Sequence, residues 1–165
     1  MEVTIRRVAP GDEEALARIQ TESWKSAFGH ILDPVTLEKS TDPGRATEMY
    51  RRLVENNVGY GYILSLDGEP HLFAWWNDSR DPGGEGEAEL IAIHSLPANR
   101  RRGYGTAMMK RVLSDVRDAG FSSIVLWVFS ANTAPRAFYE SLGFAPTDRV
   151  KVELGAETVC YSKKL

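Results

Sequence analysis

Residues 88–142 alternate strand, helix, strand, helix, and this order constrains the fold more than any other feature of the chain. An apolar run over 88–96 leads through a turn rich in arginine and glycine into an amphipathic pattern over 106–119. A second apolar run follows over 122–129, and a second helical pattern over 132–142. Strands joined through a helix lie parallel, so this stretch supplies a parallel central pair. The flanking segments are of another kind. Runs over 58–66 and 70–76 are joined by Asp67-Gly68, a two-residue hairpin signal that favours positive φ, and the tail offers two more strands over 149–154 and 158–163. The sheet is therefore expected to be mixed and twisted, in an α/β fold with helices on both faces.

The first part of the chain reads as a strand over 3–8 followed by helices. Pro10-Gly11-Asp12-Glu13-Glu14 opens the first with acids in its first turn. Leu16, Ile19, Gln20, Ser23, Trp24 and Phe28 then recur at helical spacing. Gly29 and Pro34 interrupt the pattern before a second helical region that ends near Asn56-Asn57. The polar, glycine-rich stretch over 78–87 reads as a surface loop that does not divide the chain. With 165 residues and no internal repeat, one domain over 1–165 is expected.

Charge and composition narrow the function classes. A formal net charge of -3 gives no global attraction to nucleic acid or acidic membranes, so any anion site must be a local concentration of base. Arg100-Arg101-Arg102 is such a concentration. The single cysteine, Cys160, excludes an internal disulfide and suits a reducing cytoplasm. His30, His71 and His94 are too far apart in sequence to suggest a metal site. The N-terminus lacks the apolar core of a signal peptide, and no segment has the roughly 18 consecutive apolar residues of a membrane span. A soluble, cytoplasmic protein is expected.

The run from His94 to Thr106 reads as a pyrophosphate cradle. Gly103 and Gly105 let backbone approach a ligand, the helix that follows begins with unpaired N–H groups and a partial positive charge, and arginines surround that point. The bland alternative is a solvated basic turn. Other phosphate-binding signatures are missing: Met108 stands where a dinucleotide fingerprint would place its third glycine, and no Gly-x-x-x-x-Gly-Lys-Ser/Thr occurs.

Arg100-x-x-Gly103-x-Gly105 fits the pattern (Gln/Arg)-x-x-Gly-x-(Gly/Ala) of the coenzyme A loop of the GNAT superfamily of N-acetyltransferases. Asn132-Thr133-Ala134-Pro135-Arg136-Ala137-Phe138-Tyr139-Glu140-Ser141-Leu142-Gly143-Phe144 resembles the same family's Asn-to-Tyr helix ending in Gly-Phe. The resemblance is close from about residue 88 to the end and covers the first half only in element order. It implies the GNAT fold, acetyl-CoA as cofactor and acetyl transfer to an amine. It further implies that the backbone of Ile93, His94 and Ser95 holds the pantetheine arm. Arg100, Arg101, Arg102, Gly103, Tyr104, Gly105 and Thr106 would hold the pyrophosphate, and Asn132 would pair with the arm or order its helix.

Amide formation needs a neutral amine, yet an alkylammonium has a pKa near about 10.4. Glu89 is the first candidate for the base, because strict alternation puts it on the same sheet face as Ile91 and Ile93. It reads equally well as one of a charge run with Glu85 and Glu87. By the same resemblance, the His94 backbone N–H would stabilise the carbonyl oxygen and Tyr139 would be the general acid for the leaving sulfur. Tyr139 is otherwise a half-buried core aromatic.

Trp127 departs from the pattern, since many relatives that modify protein N-termini carry an acid there. A small-molecule amine is therefore the leading acceptor, a protein or peptide N-terminus is the alternative, and a non-catalytic acyl-CoA sensor is the reading from another class. Trp24, Phe28, Trp75 and Trp76 are candidates for an acceptor pocket or for the core. Asp78, Asp81, Glu85 and Glu87 could attract a cationic acceptor or form a solvated loop. The resemblance also admits a homodimer, although no exposed apolar stripe compels one.

Overall fold

The computed structural model describes residues 1–99 and 101–165. Strand β1 (Val3–Arg7) leads into helix α1 (Glu13–Ala27), and α2 (Pro34–Ser40) and α3 (Pro43–Glu55) follow. Strands β2 (Tyr60–Leu66), β3 (Glu69–Asp78) and β4 (Glu87–Ser95) then lead to α4 (Tyr104–Asp118). The chain finishes with β5 (Ser123–Phe129), α5 (Thr133–Ser141), β6 (Ala145–Glu153) and β7 (Ala156–Lys164). The strands form one sheet in the order β1-β2-β3-β4-β5-β7-β6, in which only β4 and β5 pair in parallel.

Local chemistry explains most of these elements. Asp67 and Gly68 both take positive φ, 49° and 84°, which is the geometry a two-residue hairpin requires. The helical region expected between Pro34 and Asn56 is two helices, and the reason is a repeated Asp-Pro pair. Asp33 caps the Thr36 N–H with Pro34 following it, and Asp42 caps the Gly44 and Arg45 N–H groups with Pro43 following it. Each pair is a complete start signal.

The sheet is covered on both faces. Met108, Met109, Val112 and Val116 of α4 are fully buried against Leu64, Ala74, Leu90, Ile124 and Leu126. Each such aliphatic side chain stabilises the fold by roughly 1.5–3 kcal/mol. On the other face Leu16 and Ile19 of α1 and Tyr50 of α3 pack on Ile63, Phe73 and Trp75. Trp75 and Trp76 both belong to the core, 5% and 2% exposed.

Two bulges alter the alternation in β3 and β4. Trp75 pairs with Ala92 and Trp76 with Leu90, so Ile91 is an extra residue on β4. Ala88, Leu90 and Ile93 consequently pack on the α4 side, while Ala92 and Leu96 pack on the α1 side. The expectation that Glu89 shares a face with Ile93 is thereby corrected: Glu89 follows the face of Ala92. At the same bulge the central pair parts. Residues 87–90 pair with 123–126, whereas beyond them β4 pairs only with β3 and β5 only with β7. Among the described residues no helix is long and apolar enough to cross a membrane.

Candidate active site

The parting of β4 and β5 opens a cleft of about 690 Å³. Its floor and one wall come from the ends of the two strands and from Phe138 and Tyr139 of α5. Trp24 of α1 and its C-cap Phe28, with Glu153 at the end of β6 and Leu154 of the turn after it, also line the cleft.

The loop between β4 and α4 borders the cleft through Asn99, Arg101, Arg102 and Gly103. Asn99, Arg101 and Gly103 have φ of 56°, 61° and 81°. Left-handed residues in such a turn direct successive backbone N–H groups toward a common point, a shape suited to anions. Gly103 is the N-cap of α4 and so donates no side-chain cap, and no acid stands in the first turn. The first N–H groups of the helix are thus left for a ligand, with the positive end of the helix dipole behind them. Arg101 and Arg102 are exposed and have no acidic partner among the described residues. At Gly105 an added Cβ would lie 3.2 Å from the Phe138 ring, so glycine lets α4 approach α5 across the cleft. Arg100, expected to join this group, lies outside the described residues.

Ile93, His94 and Ser95 line the cleft along the edge of β4 that β5 has left. The His94 ring is held by the Trp24 indole N–H, which donates to Nε2 at 3.2 Å, and Phe73 meets it edge-on. Nε2 is therefore the accepting nitrogen and Nδ1 carries the proton. Burial pushes the His94 pKa down to about 4, so the ring is neutral near pH 7.

Tyr139 is 9% exposed and lines the cleft, packed among Phe138, Phe144 and Tyr161. Its hydroxyl has no hydrogen-bond partner among the described residues, and burial pushes its pKa up. Asn132 caps no helix N–H with its side chain, which leaves the amide uncommitted at the cleft wall.

Glu89 is placed differently. It is 1% exposed and is not among the residues that line the cleft. The Arg80 guanidinium donates to both of its oxygens, at 2.6 and 3.2 Å, and the Arg80 backbone N–H adds a bond of 3.1 Å. The carboxylate thereby ties the 78–87 loop to β4. Of the acids of that loop, Asp81 is engaged within the fold. Asp81 accepts from the Trp127 indole at 3.0 Å and from Arg149 at 2.8 Å, while Lys151 and Arg149 lie over the Trp127 ring.

Among the lining residues that the sequence reading of the site did not name, His71 reaches the cleft from the bulge of β3, Glu153 from the end of β6, and His30 and Leu154 from turns. The Leu154-Gly155 pair, at φ 52° and 81°, is a hairpin turn whose glycine was the available signal. Trp24 and Phe28 both line the cleft and pack with Phe129, so pocket and core are one there. Among the described residues no group of histidine, cysteine and acidic side chains is placed to hold a metal ion.

The model of the acetyltransferase (GNAT) family matches residues 14–144. A mycothiol acetyltransferase of Salinispora arenicola is 34% identical over 149 residues, which are 87% of this chain and 45% of that protein. The chain thus spans less than half the length of that relative. Among solved structures, the PaiA N-acetyltransferase of Thermoplasma acidophilum in complex with coenzyme A superposes with a TM-score of 0.81 at 19% identity, covering 100% of both chains. YncA of Salmonella typhimurium with acetyl-CoA gives 0.75 at 20% identity, over 98% of this chain and 93% of that one. At these identities the likeness is one of fold.

Proposed function

The chain belongs to the GNAT acetyltransferase family, and from that premise we propose that it moves an acetyl group from acetyl-CoA to a primary amine of a small molecule. One observation carries the reading: an uncapped helix N-terminus in a basic, left-handed turn opens onto the same cleft as a buried tyrosine whose hydroxyl has no described partner. When bound, acetyl-CoA supplies an acyl group already activated as a thioester.

The residues present fit such a group. The N–H groups of Tyr104, Gly105 and Thr106, with Arg101 and Arg102, hold the pyrophosphate by charge-assisted bonds, and Arg100 belongs to the same motif. The open edge of β4 at Ile93, His94 and Ser95 takes the arm, and Asn132 offers it an amide. The His94 N–H polarises the carbonyl oxygen. Tyr139 keeps its proton at neutral pH and gives it to the leaving sulfur as the C–S bond breaks, while the proton shed by the amine nitrogen as the C–N bond forms passes to water in the open cleft, from which Tyr139 is reprotonated. A free thiol has a pKa near about 8.5, but the burial that raises the tyrosine raises the thiol too, which keeps the transfer near balance.

Glu89 has no free oxygen for a proton from the cleft, so its part is to position the 78–87 loop. The amine is instead received between Trp24, Phe28 and Phe129, where desolvation disfavours the ammonium form and the neutral His94 ring adds no opposing charge. The name of the Salinispora relative supports a small-molecule acceptor.

Calorimetric titration with acetyl-CoA tests the cradle. Micromolar binding is expected, and Gly103→Glu should abolish it, since a side chain at φ 81° is strained and its carboxylate repels the pyrophosphate. Thiol release with amino acids, polyamines, aminoglycosides and short peptides then identifies the acceptor. Turnover confined to peptides would move the assignment to a protein N-terminal acetyltransferase. Binding without turnover on any amine would make the chain an acyl-CoA sensor.

A further inference from the structure

His71 has no task in the reaction just described, yet it is one of the most deliberately placed side chains in the cleft. Leu64 pairs with Leu72 and Ser65 with Pro70, which leaves His71 as the extra residue of a bulge in β3. Such a bulge turns a side chain away from the face that alternation would assign. The imidazole is 6% exposed and lines the cleft.

It touches both ends of the anion loop. The His71 carbonyl accepts from the Leu96 N–H at 2.9 Å, where the loop leaves β4. Its ring meets the ring of Tyr104, the first residue of α4, edge-on at 5.8 Å between centroids. Neither ring nitrogen has a hydrogen-bond partner among the described residues. Neither nitrogen is among the buried unpartnered atoms of the described residues, so within an otherwise buried residue the ring keeps its polar edge accessible, and the residue lines the cleft.

We propose that His71 is a phosphate-binding residue, its imidazole N–H donating to a phosphate oxygen of the anion seated at the N-terminus of α4. The assignment rests on reading the loop as a coenzyme A cradle but requires of the ligand only its phosphates. Burial lowers the His71 pKa, so the ring meets the anion neutral, with one nitrogen protonated to donate. A neutral donor adds directionality beside Arg101 and Arg102 without adding to their mutual repulsion.

The test compares acetyl-CoA binding by the unsubstituted chain, His71→Phe and His71→Gln, with nuclear magnetic resonance of the imidazole nitrogens during titration with inorganic pyrophosphate. Phenylalanine keeps a ring against Tyr104 and removes the donor, whereas glutamine keeps a donor. Loss of a hydrogen bond to a charged acceptor should weaken binding by about tenfold or more in His71→Phe, with His71→Gln within a few-fold of the original. Pyrophosphate should move the His71 ring resonances. Unchanged affinity in His71→Phe, or a ring that pyrophosphate leaves unmoved, overturns the assignment and leaves the proposed function standing. Should His71→Phe not fold, the pyrophosphate titration of the unsubstituted chain decides. Should the unsubstituted chain fail to bind acetyl-CoA, the proposed function falls, and the same pyrophosphate titration still decides for or against His71.

Discussion

Two buried residues, Tyr139 and Glu89, carry opposite lessons about what a side chain's neighbours permit. Tyr139 has rings around it and no described partner for its hydroxyl, so its proton is available to the cleft. Tyr139→Phe should lower kcat by about 100-fold or more with little change in the KM for acetyl-CoA, measured by steady-state thiol release. Glu89 is enclosed by the three bonds from Arg80, and its removal should be felt as lost stability. Glu89→Ala should cost about 1–3 kcal/mol in urea denaturation while the shape of the pH–rate profile stays as it was. A profile that lost its acidic limb would return the base to Glu89. The motif around Tyr139 was legible because its spacing belongs to one helix. The environment of Glu89 was not, because Arg80 meets it only once the loop has folded back.

At the scale of elements, the parts that could be read in advance are those whose chemistry is local. Asp67-Gly68 announced its turn, the 106–119 pattern announced α4, and Gly103 marked where the loop becomes helix. The two Asp-Pro starts of α2 and α3 were equally local and show that a single long pattern can hide a second cap. The bulges at His71 and Ile91 are different, since an extra residue is defined only against a partner strand. They re-aim the imidazole of His71 and set which face Glu89 follows. The β6–β7 turn offers a test at this scale. Leu154 occupies the left-handed position that asparagine prefers, lines the cleft and is 45% exposed. Leu154→Asn should raise the unfolding free energy by about 1 kcal/mol in urea denaturation, and should change the KM for the amine without changing that for acetyl-CoA.

For the whole molecule, the buried His71 and the half-buried His94 make stability depend on acidity. An unfolded histidine takes up its proton near about pH 6.5, whereas His94 in the fold does so near about 4, and His71 is shifted in the same direction. Between those values the unfolded chain binds a proton that the folded chain refuses, so stability is full above the upper value and falls as pH drops through the window. The slope should be on the order of 1 kcal/mol per pH unit for His94, with His71 acting in the same direction. Urea midpoints measured from pH 7 to pH 4.5 should show it, and His94→Phe should flatten it. Retention of the full slope in that variant would assign the effect elsewhere. The layered α/β architecture behind this behaviour was legible from element order, because a strand–helix–strand crossover admits few sheets. The cleft that gives the sheet its use was not, because it arises where pairing stops.

That interruption makes the molecule two meanders joined at a short splice. Strands β1 to β4 form one antiparallel ribbon and β5, β7 and β6 a second, while among the described residues the strand pairing across the middle is confined to 87–90 and 123–126. A long, thin ligand laid along the gap would lie where an eighth strand could pair. It would complete a ladder that the polypeptide leaves unfinished, and the protein that gripped it would be, for as long as it did so, a more continuous sheet.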